Sequence, residues 1–174
     1  MWVPTLLSLN PPGGLPTGCV FSSLMIAITV GGVLFPPLQQ LIAKLLPSSN
    51  VSEVAGALIY LIASVSMIIP SICVSSLGSL CFQRILLSFV LVEMCVGLFM
   101  PIAGTLRTKY VPDALHGAIL NIFRLPLNAI VVIGTYATDI LPASQVFMFV
   151  SGCFFTAALI QATMVGANSR TKID

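Results

Sequence analysis

Charged side chains are scarce in this sequence. Only 7% of its 174 residues are Asp, Glu, Lys or Arg, whereas a soluble domain carries about 25%. So few charges cannot cover a globule of this size with a surface that water wets. The formal net charge is only +2 and there is no basic run, so nothing indicates a nucleic-acid partner. This composition excludes an ordinary soluble domain.

The motifs of common enzyme classes are also missing. The sequence has no GxSxG, HExxH, P-loop or GxGxxG pattern, so we expect no enzymatic activity. One histidine and five cysteines without CxxC spacing give no basis for a metal or haem site, and we expect no cofactor. Buried thiols can serve as small apolar side chains. Alternatively, Cys73 and Cys81 flank one short loop and can pair if that loop faces an oxidising compartment.

Long apolar runs make up most of what is present. Hydrophobic residues account for 57% of the chain and the mean hydropathy is +1.09. A membrane span needs about 20 mainly apolar residues. The runs are continuous rather than alternating, which disfavours a β-barrel. We therefore predict an all-α membrane protein, with residues 1–174 forming a single transmembrane domain. Turn-forming clusters divide it into five spans, at about 18–43, 54–74, 82–106, 114–137 and 142–166.

The connections between these spans are short, so we expect consecutive helices to be antiparallel neighbours. The first span contains Pro36 and Pro37, which predict a kink or a break. Alternation then assigns each basic residue to a side of the membrane. Only Arg84 falls on the side opposite the C-terminus, and Arg124 lies within a span. The side of the C-terminus holds Lys44, Arg107, Lys109, Arg170 and Lys172, so the positive-inside rule predicts a cytoplasmic C-terminus.

Two ionisable residues, Glu93 and Arg124, lie well inside predicted spans. A charge at the bilayer centre costs from about 2.5 kcal/mol upward, so it normally faces a cavity or a partner. Each residue is roughly 15 Å from one end of its helix, near the middle of a hydrocarbon layer about 30 Å thick. An antiparallel hairpin would let them approach each other. They can form a structural ion pair, line a cavity that binds a polar solute, or be satisfied separately.

Arg124 has polar company in its helix. Positions 117, 121, 124 and 128 share one helical face, which reads Gly117, Asn121, Arg124 and Asn128. An arginine beside amides is suited to an oxyanion, because the planar guanidinium donates several hydrogen bonds. Interhelical hydrogen bonding is the competing interpretation. His116 lies beside the interface, where it can line a cavity and titrate near neutral pH or act structurally.

A family resemblance rests on this part of the chain. Residues 91–101 read LVEMCVGLFMP, residues 106–112 read LRTKYVP and residues 121–127 read NIFRLPL. This order of a glutamate-containing helix, a basic loop and an Asn-x-x-Arg-x-Pro helix resembles the tenth and eleventh helices of the molybdate-anion transporter family. That family lies within the major facilitator superfamily. The opening residues 2–6 and 18–23 are similar to the family's junction between helices seven and eight.

The resemblance implies a twelve-helix transporter of two halves that takes up molybdate, a tetrahedral oxyanion, by alternating access. This chain would supply helices eight to twelve and the tail of helix seven, as a C-terminal fragment that lacks its N-terminal half. The family's substrate or gating residues carry over onto Arg124, Glu93 and Asn121, and Asn128 and His116 are possible cavity-lining residues. The expected location is the plasma membrane. Two alternatives are a non-transporting membrane scaffold and a facilitator for another small solute.

The sequon Asn50-Val51-Ser52 gives a test of the predicted orientation. Asn50 lies on the side that we assign to the cytoplasm, where N-glycosylation does not occur. Treatment of the expressed protein with a glycosidase should therefore leave its electrophoretic mobility unchanged. A glycan on Asn50 would contradict the orientation.

Overall fold

The chain folds into a bundle of helices. The structure, a computed structural model, describes residues 2–9, 14–46, 50–74 and 80–170, except for the side chains of residues 2, 113 and 166–170. Five of the helices are long and apolar enough to cross a membrane. The predicted all-α membrane fold, with five spanning helices and a short preceding one, is therefore confirmed. The helices are α1 (Trp2–Ser8), α2 (Thr17–Leu45), α3 (Val51–Cys73), α4 (Cys81–Tyr110), α5 (His116–Ile140) and α6 (Ala143–Arg170).

Two helices differ from the prediction in their course. Helix α2 continues through Pro36 and Pro37, so the alternative of a break at this point is wrong. Helix α4 extends to Tyr110, whereas the predicted span stops at residue 106. Hydropathy assigns residues 107–110, which include Arg107 and Lys109, to a loop. Lys109 and Tyr110 are helical, however, and bond to α3. The polar groups of Lys109 and Tyr110 thus form hydrogen bonds with a residue of α3, where in a loop they would form them with water.

The two ends of the bundle differ in charge. Helices α2 and α4 end, and α3 begins, at one end, which carries Lys44, Arg107 and Lys109 and is called the basic end below. Helix α3 ends, and α4 and α6 begin, at the other end, called the opposite end. The tail residues Arg170 and Lys172, which also entered the orientation argument, lie outside the described side chains.

Helices α3 and α6 pack along most of their length through polar side chains in a regular register. Ser64 and Ser151 are buried and each donates to the other's backbone carbonyl, at 2.9 and 2.8 Å. Seven residues further along α3 and seven earlier in α6, Ser71 donates to the carbonyl of Ser144 at 2.9 Å. A seven-residue repeat keeps one stripe of each helix facing its neighbour. Such hydrogen bonds are the means by which helices associate in lipid, where apolar burial gives little driving force.

Helices α2 and α4 cross through a contact between glycines. A Cβ atom on Gly31 would lie 2.1 Å from the carbonyl oxygen of Met94, and one on Gly97 would lie 2.0 Å from that of Ile28. No side chain fits at either position, so the two backbones touch directly. Small residues at helix interfaces permit this close approach and the packing contacts that come with it.

Two apolar clusters lie on either side of this crossing. The cluster towards the opposite end joins α1 to the bundle through Leu6, whose side chain is fully buried, and it includes Phe89 of α4 and Phe147 of α6. The cluster towards the basic end is made mainly by α3 and α4, for example Ile59 and Ile102. Helices α2, α3, α4 and α6 therefore form the packed body of the molecule.

Helix α5 stands apart from that body. All 25 of its residues are described and none of them is buried. It contacts the short 3-10 turn before it and the start of α6, but it does not pack along α4. The expectation that α4 and α5 form an antiparallel hairpin is therefore wrong. Helix α4 packs against α2 and α3 instead.

The glycine crossing predicts a position-dependent response to added methyl groups. Gly97→Ala should destabilise the bundle by about 1–3 kcal/mol, since the new Cβ overpacks a backbone contact. The matched change in the same helix is Gly104→Ala, where a Cβ would meet nothing within 4 Å. That variant should be neutral or gain up to about 1 kcal/mol of helix propensity. Thermal unfolding of the purified proteins in detergent measures both, and equal melting temperatures would contradict the crossing.

Candidate functional site

Glu93 lies at the edge of a cavity between four helices. The cavity has a volume of about 240 Å³ and contains side chains from α2, α3, α4 and α6. Glu93 is half-buried, and no described residue forms an ion pair with it. It is one helical turn before Gly97, so the α2–α4 crossing fixes its position. The other lining residues are all apolar: Leu24, Met67, Phe89, Val92, Val146, Phe147 and Val150.

Arg124 lies on a different part of the molecule. It is exposed on α5, together with Gly117, Asn121 and Asn128, and all four side-chain positions of the polar stripe are accessible. Because α5 does not pack along α4, the structure does not bring Arg124 to Glu93. The sequence left open a structural ion pair between Glu93 and Arg124. Among the described residues, these two do not form one.

His116 lies at the junction between α4 and α5. Its Nε2 atom donates to the backbone carbonyl of Val111 at a distance of 2.9 Å, which fixes the tautomer as the one protonated on Nε2 if the ring is neutral. The imidazole is half-buried. This contact ties the first residue of α5 to the residue that follows α4. This hydrogen bond supports a structural role for His116. Its cavity-lining role stays a prediction.

The residue with the most deeply buried charge was not singled out by the sequence. Glu53, in the first turn of α3, is 0% exposed, and its Oε1 atom accepts hydrogen bonds from Lys109 Nζ and Tyr110 OH of α4. The Lys109 ammonium also lies 5.3 Å from the centre of the Tyr110 ring. The buried carboxylate thus receives both a positive charge and a hydroxyl donor. This is the arrangement that makes a buried charge tolerable.

Further polar contacts surround this ion pair at the basic end. Asn50, which is 2% exposed, donates from Nδ2 to the carbonyl of Val165 in α6 at 3.2 Å. Gln39 of α2 donates from Nε2 to the hydroxyl of Ser52 at 3.3 Å. The start of α3 is therefore bonded to α2, α4 and α6, which makes it the most extensively cross-linked point of the described bundle.

Glu53 was missed because a carboxylate in a first turn has an ordinary explanation. It stabilises the helix amino end, so it resembles a surface residue. One signal in the sequence did point further: the alternation of helices brings the start of α3 and the end of α4 to the same side. Glu53 and Lys109 thus had to lie at equal depth, and only their pairing required the structure.

The arrangement can do two kinds of chemistry. The stripe on α5 offers a guanidinium and two amides, which together donate hydrogen bonds to an oxyanion. The cavity at Glu93 offers a single carboxylate in apolar surroundings. Within the described ranges, no three His, Cys, Asp or Glu side chains are grouped as metal ligands would be.

The fold and these polar sites define a class of protein. The chain has five apolar helices, a charged residue well inside two of them, and polar hydrogen bonds between helices, which are the features of an integral multi-pass membrane protein. No protein-family model matches the chain, and no solved structure is similar enough to match.

Curated relatives narrow the class. The chain is 32% identical over 137 residues to a protein of Danio rerio named Molybdate-anion transporter, with 79% of this chain covered. It is 29% identical over 134 residues to the protein of the same name from Xenopus tropicalis, with 77% covered. The resemblance to the molybdate-anion transporters is thereby confirmed. The chain spans about a quarter of the length of these relatives, 26% and 27% respectively.

The buried ion pair predicts an order of stability among variants. Lys109→Met leaves the Glu53 carboxylate buried without its cation and should cost about 3 kcal/mol, at the low end for a broken buried pair because Lys109 is partly exposed. The double variant Glu53→Gln with Lys109→Met should recover part of that loss, since no uncompensated charge remains. Thermal unfolding in detergent measures the order.

Two matched controls accompany this series. Lys44→Met removes an exposed lysine from the same end of the bundle, and Glu93→Gln removes a carboxylate that has no described ion-pair partner. Both should unfold close to the wild-type temperature. A Lys109→Met variant as stable as Lys44→Met would mean that the ion pair contributes nothing.

Proposed function

We propose that this chain is part of a transporter that moves molybdate, or a similar small oxyanion, across a membrane by alternating access. The observation that carries the proposal is the accessible stripe of Asn121, Arg124 and Asn128 on α5. An arginine left in contact with hydrocarbon costs at least about 2.5 kcal/mol. A stripe of three polar side chains in a spanning helix is therefore explained best by a water-filled path or by the protein that lines one.

The chemistry of the stripe suits a tetrahedral dianion. The guanidinium of Arg124 supplies a positive charge and a planar set of donors, which bind two oxygens at once. Asn121 lies one turn before Arg124 and Asn128 one turn after it, so each amide can donate to a further oxygen from the same face. In this proposal Arg124 and Asn121 contact the substrate, and Asn128 and His116 line the path towards them.

Glu93 takes a gating role in the proposal, because a carboxylate repels an anion. Its cavity lies between α2, α3, α4 and α6, next to the point where α2 and α4 cross. A movement of α5 towards α4 during the transport cycle would give Glu93 the cation of Arg124 as a partner. The two residues would then pair in one state and separate in the other, and Arg124 would be free for the anion in the second.

The setting of this site is also part of the proposal. Residues 1–174 form one transmembrane domain with the C-terminus in the cytoplasm, as the excess of lysine and arginine at the basic end favours. The domain corresponds to helices eight to twelve of a twelve-helix transporter of the plasma membrane, with the N-terminal half as its partner. The similarity to about a quarter of each curated relative supports one part of this proposal, that the chain corresponds to a portion of a longer transporter.

Two other functions explain the accessible polar stripe on α5 less well. A non-transporting scaffold would need no accessible arginine in the middle of a span. A facilitator for another small solute is closer, because sulfate and molybdate have the same shape and charge. A competition experiment, in which sulfate is added during molybdate uptake, shows which of the two anions the protein prefers.

Substitution of Arg124 tests the proposed transport. In cells that express the complete product of the gene, Arg124→Ala should reduce molybdate uptake at least about tenfold, the effect of losing a charged hydrogen bond worth 1.5–3 kcal/mol. Arg124→Lys should retain part of the uptake because it keeps the charge. The measurement is isotopic molybdate accumulation at equal surface expression.

The control is Arg84→Gln, which removes an exposed arginine near an end of α4, away from the stripe. It should leave uptake unchanged. Normal uptake by Arg124→Ala would remove this residue from the substrate path, and loss of uptake in both variants would indicate a general effect of charge.

A further inference from the structure

The ends of α3 and α4 bring two cysteines together. Cys73 is the last residue of α3 and Cys81 is the first of α4. Both are buried, at 7% and 6% exposure, in the apolar cluster that also holds Leu6 and Phe147. The two cysteines therefore lie in one apolar cluster, at the two helix ends that the α3–α4 connection joins.

The other cysteines have different surroundings. Cys19 and Cys153 are exposed, and Cys95 is buried in the middle of α4 within the second cluster. Cys73 and Cys81 are the pair that stands at a helix–helix junction, at the end of the bundle where lysine and arginine are few. Their side chains close the α3–α4 connection across seven intervening residues.

We propose that Cys73 and Cys81 are a modification site, at which a disulfide forms between the outer ends of α3 and α4. The bond arises by exchange with a low-molecular-mass disulfide, the class of oxidant found in extracellular fluid. One thiolate attacks the small disulfide and releases one small thiol. The second cysteine then attacks the mixed disulfide and releases the other. One S–S bond breaks, one forms, and the two cysteine protons leave with the two released thiols.

The proposal rests on the orientation given under Proposed function, in which this end of the bundle faces outward. Thiols stay reduced in the cytosol, whereas disulfides persist on the outer side of a cell. The exchange takes place during folding, before the apolar cluster packs around the two thiols. Burial then protects the bond, because a reductant must reach a sulfur to exchange with it.

The disulfide would be a second link between α3 and α4. At the basic end, Glu53 of α3 already bonds to Lys109 and Tyr110 of α4. A disulfide at the other end would fix the relative position of α3 and α4 over their whole length. These two helices would then move as one rigid unit, and any change in shape during transport would fall on α5 and on the contacts of the unit with its neighbours.

Differential alkylation of the full chain in cell membranes tests the site. The protein is denatured in the presence of N-ethylmaleimide, then reduced with a phosphine and treated with iodoacetamide, and each cysteine is assigned by mass spectrometry. Cys73 and Cys81 should carry the second label, and Cys19, Cys95 and Cys153 the first. N-ethylmaleimide on both Cys73 and Cys81 would overturn the proposal.

Two variants make the result specific. In Cys73→Ser, Cys81 should be either a free thiol or joined to a small thiol, and Cys19, Cys95 and Cys153 should keep the first label, whereas Cys95→Ser should leave the labels of Cys73 and Cys81 unchanged. If Cys81 and one of Cys19, Cys95 or Cys153 both carry the second label in Cys73→Ser, Cys81 pairs with that cysteine and the proposed bond is wrong.

An epitope tag after Asp174 separates this proposal from the one on which it rests. Antibody should reach the tag only after the cells are permeabilised. If it does and the two thiols still carry N-ethylmaleimide, the disulfide is wrong and the orientation stands. If antibody reaches the tag on intact cells, the orientation is wrong, and the premise of an oxidising environment for this cysteine pair is lost with it.

Discussion

The contact between Gly31 and Gly97 determines how the rest of the packed body is arranged. With no side chain between them, the backbones of α2 and α4 touch at this point. The contact therefore fixes the distance between the two helices where they cross. The two apolar clusters lie on either side of this crossing. Glu93 is one turn away, so its place beside the cavity depends on the same contact.

The number of helices could be predicted because it is encoded locally. A bilayer of fixed thickness demands about 20 apolar residues per span, and each such run is visible without knowledge of its neighbours. The packing partners could not be predicted in this way. Glu53 and Lys109 are separated by 56 positions, and nothing near either residue specifies the other. The same holds for the glycine contact, which a hydropathy pattern does not register.

The candidate site shows the same division. The polar face of α5 follows from helical spacing, and the structure leaves that face accessible. The expectation that Glu93 and Arg124 approach each other was wrong. It assumed that two helices joined by a short connection pack against each other. Helix α4 packs against α2 and α3 instead, and the sequence of one segment does not show which of its neighbours a helix will contact.

The α3–α6 register has a consequence for how this protein can vary. Asn50, Ser64 and Ser71 meet partners on α6 in reverse order, so every contact depends on the same phase. One inserted residue turns the rest of a helix by about 100° and would direct all later polar groups into lipid at once. Natural changes of length should therefore accumulate in the connections, and α3 should differ between relatives by substitution or by whole helical repeats.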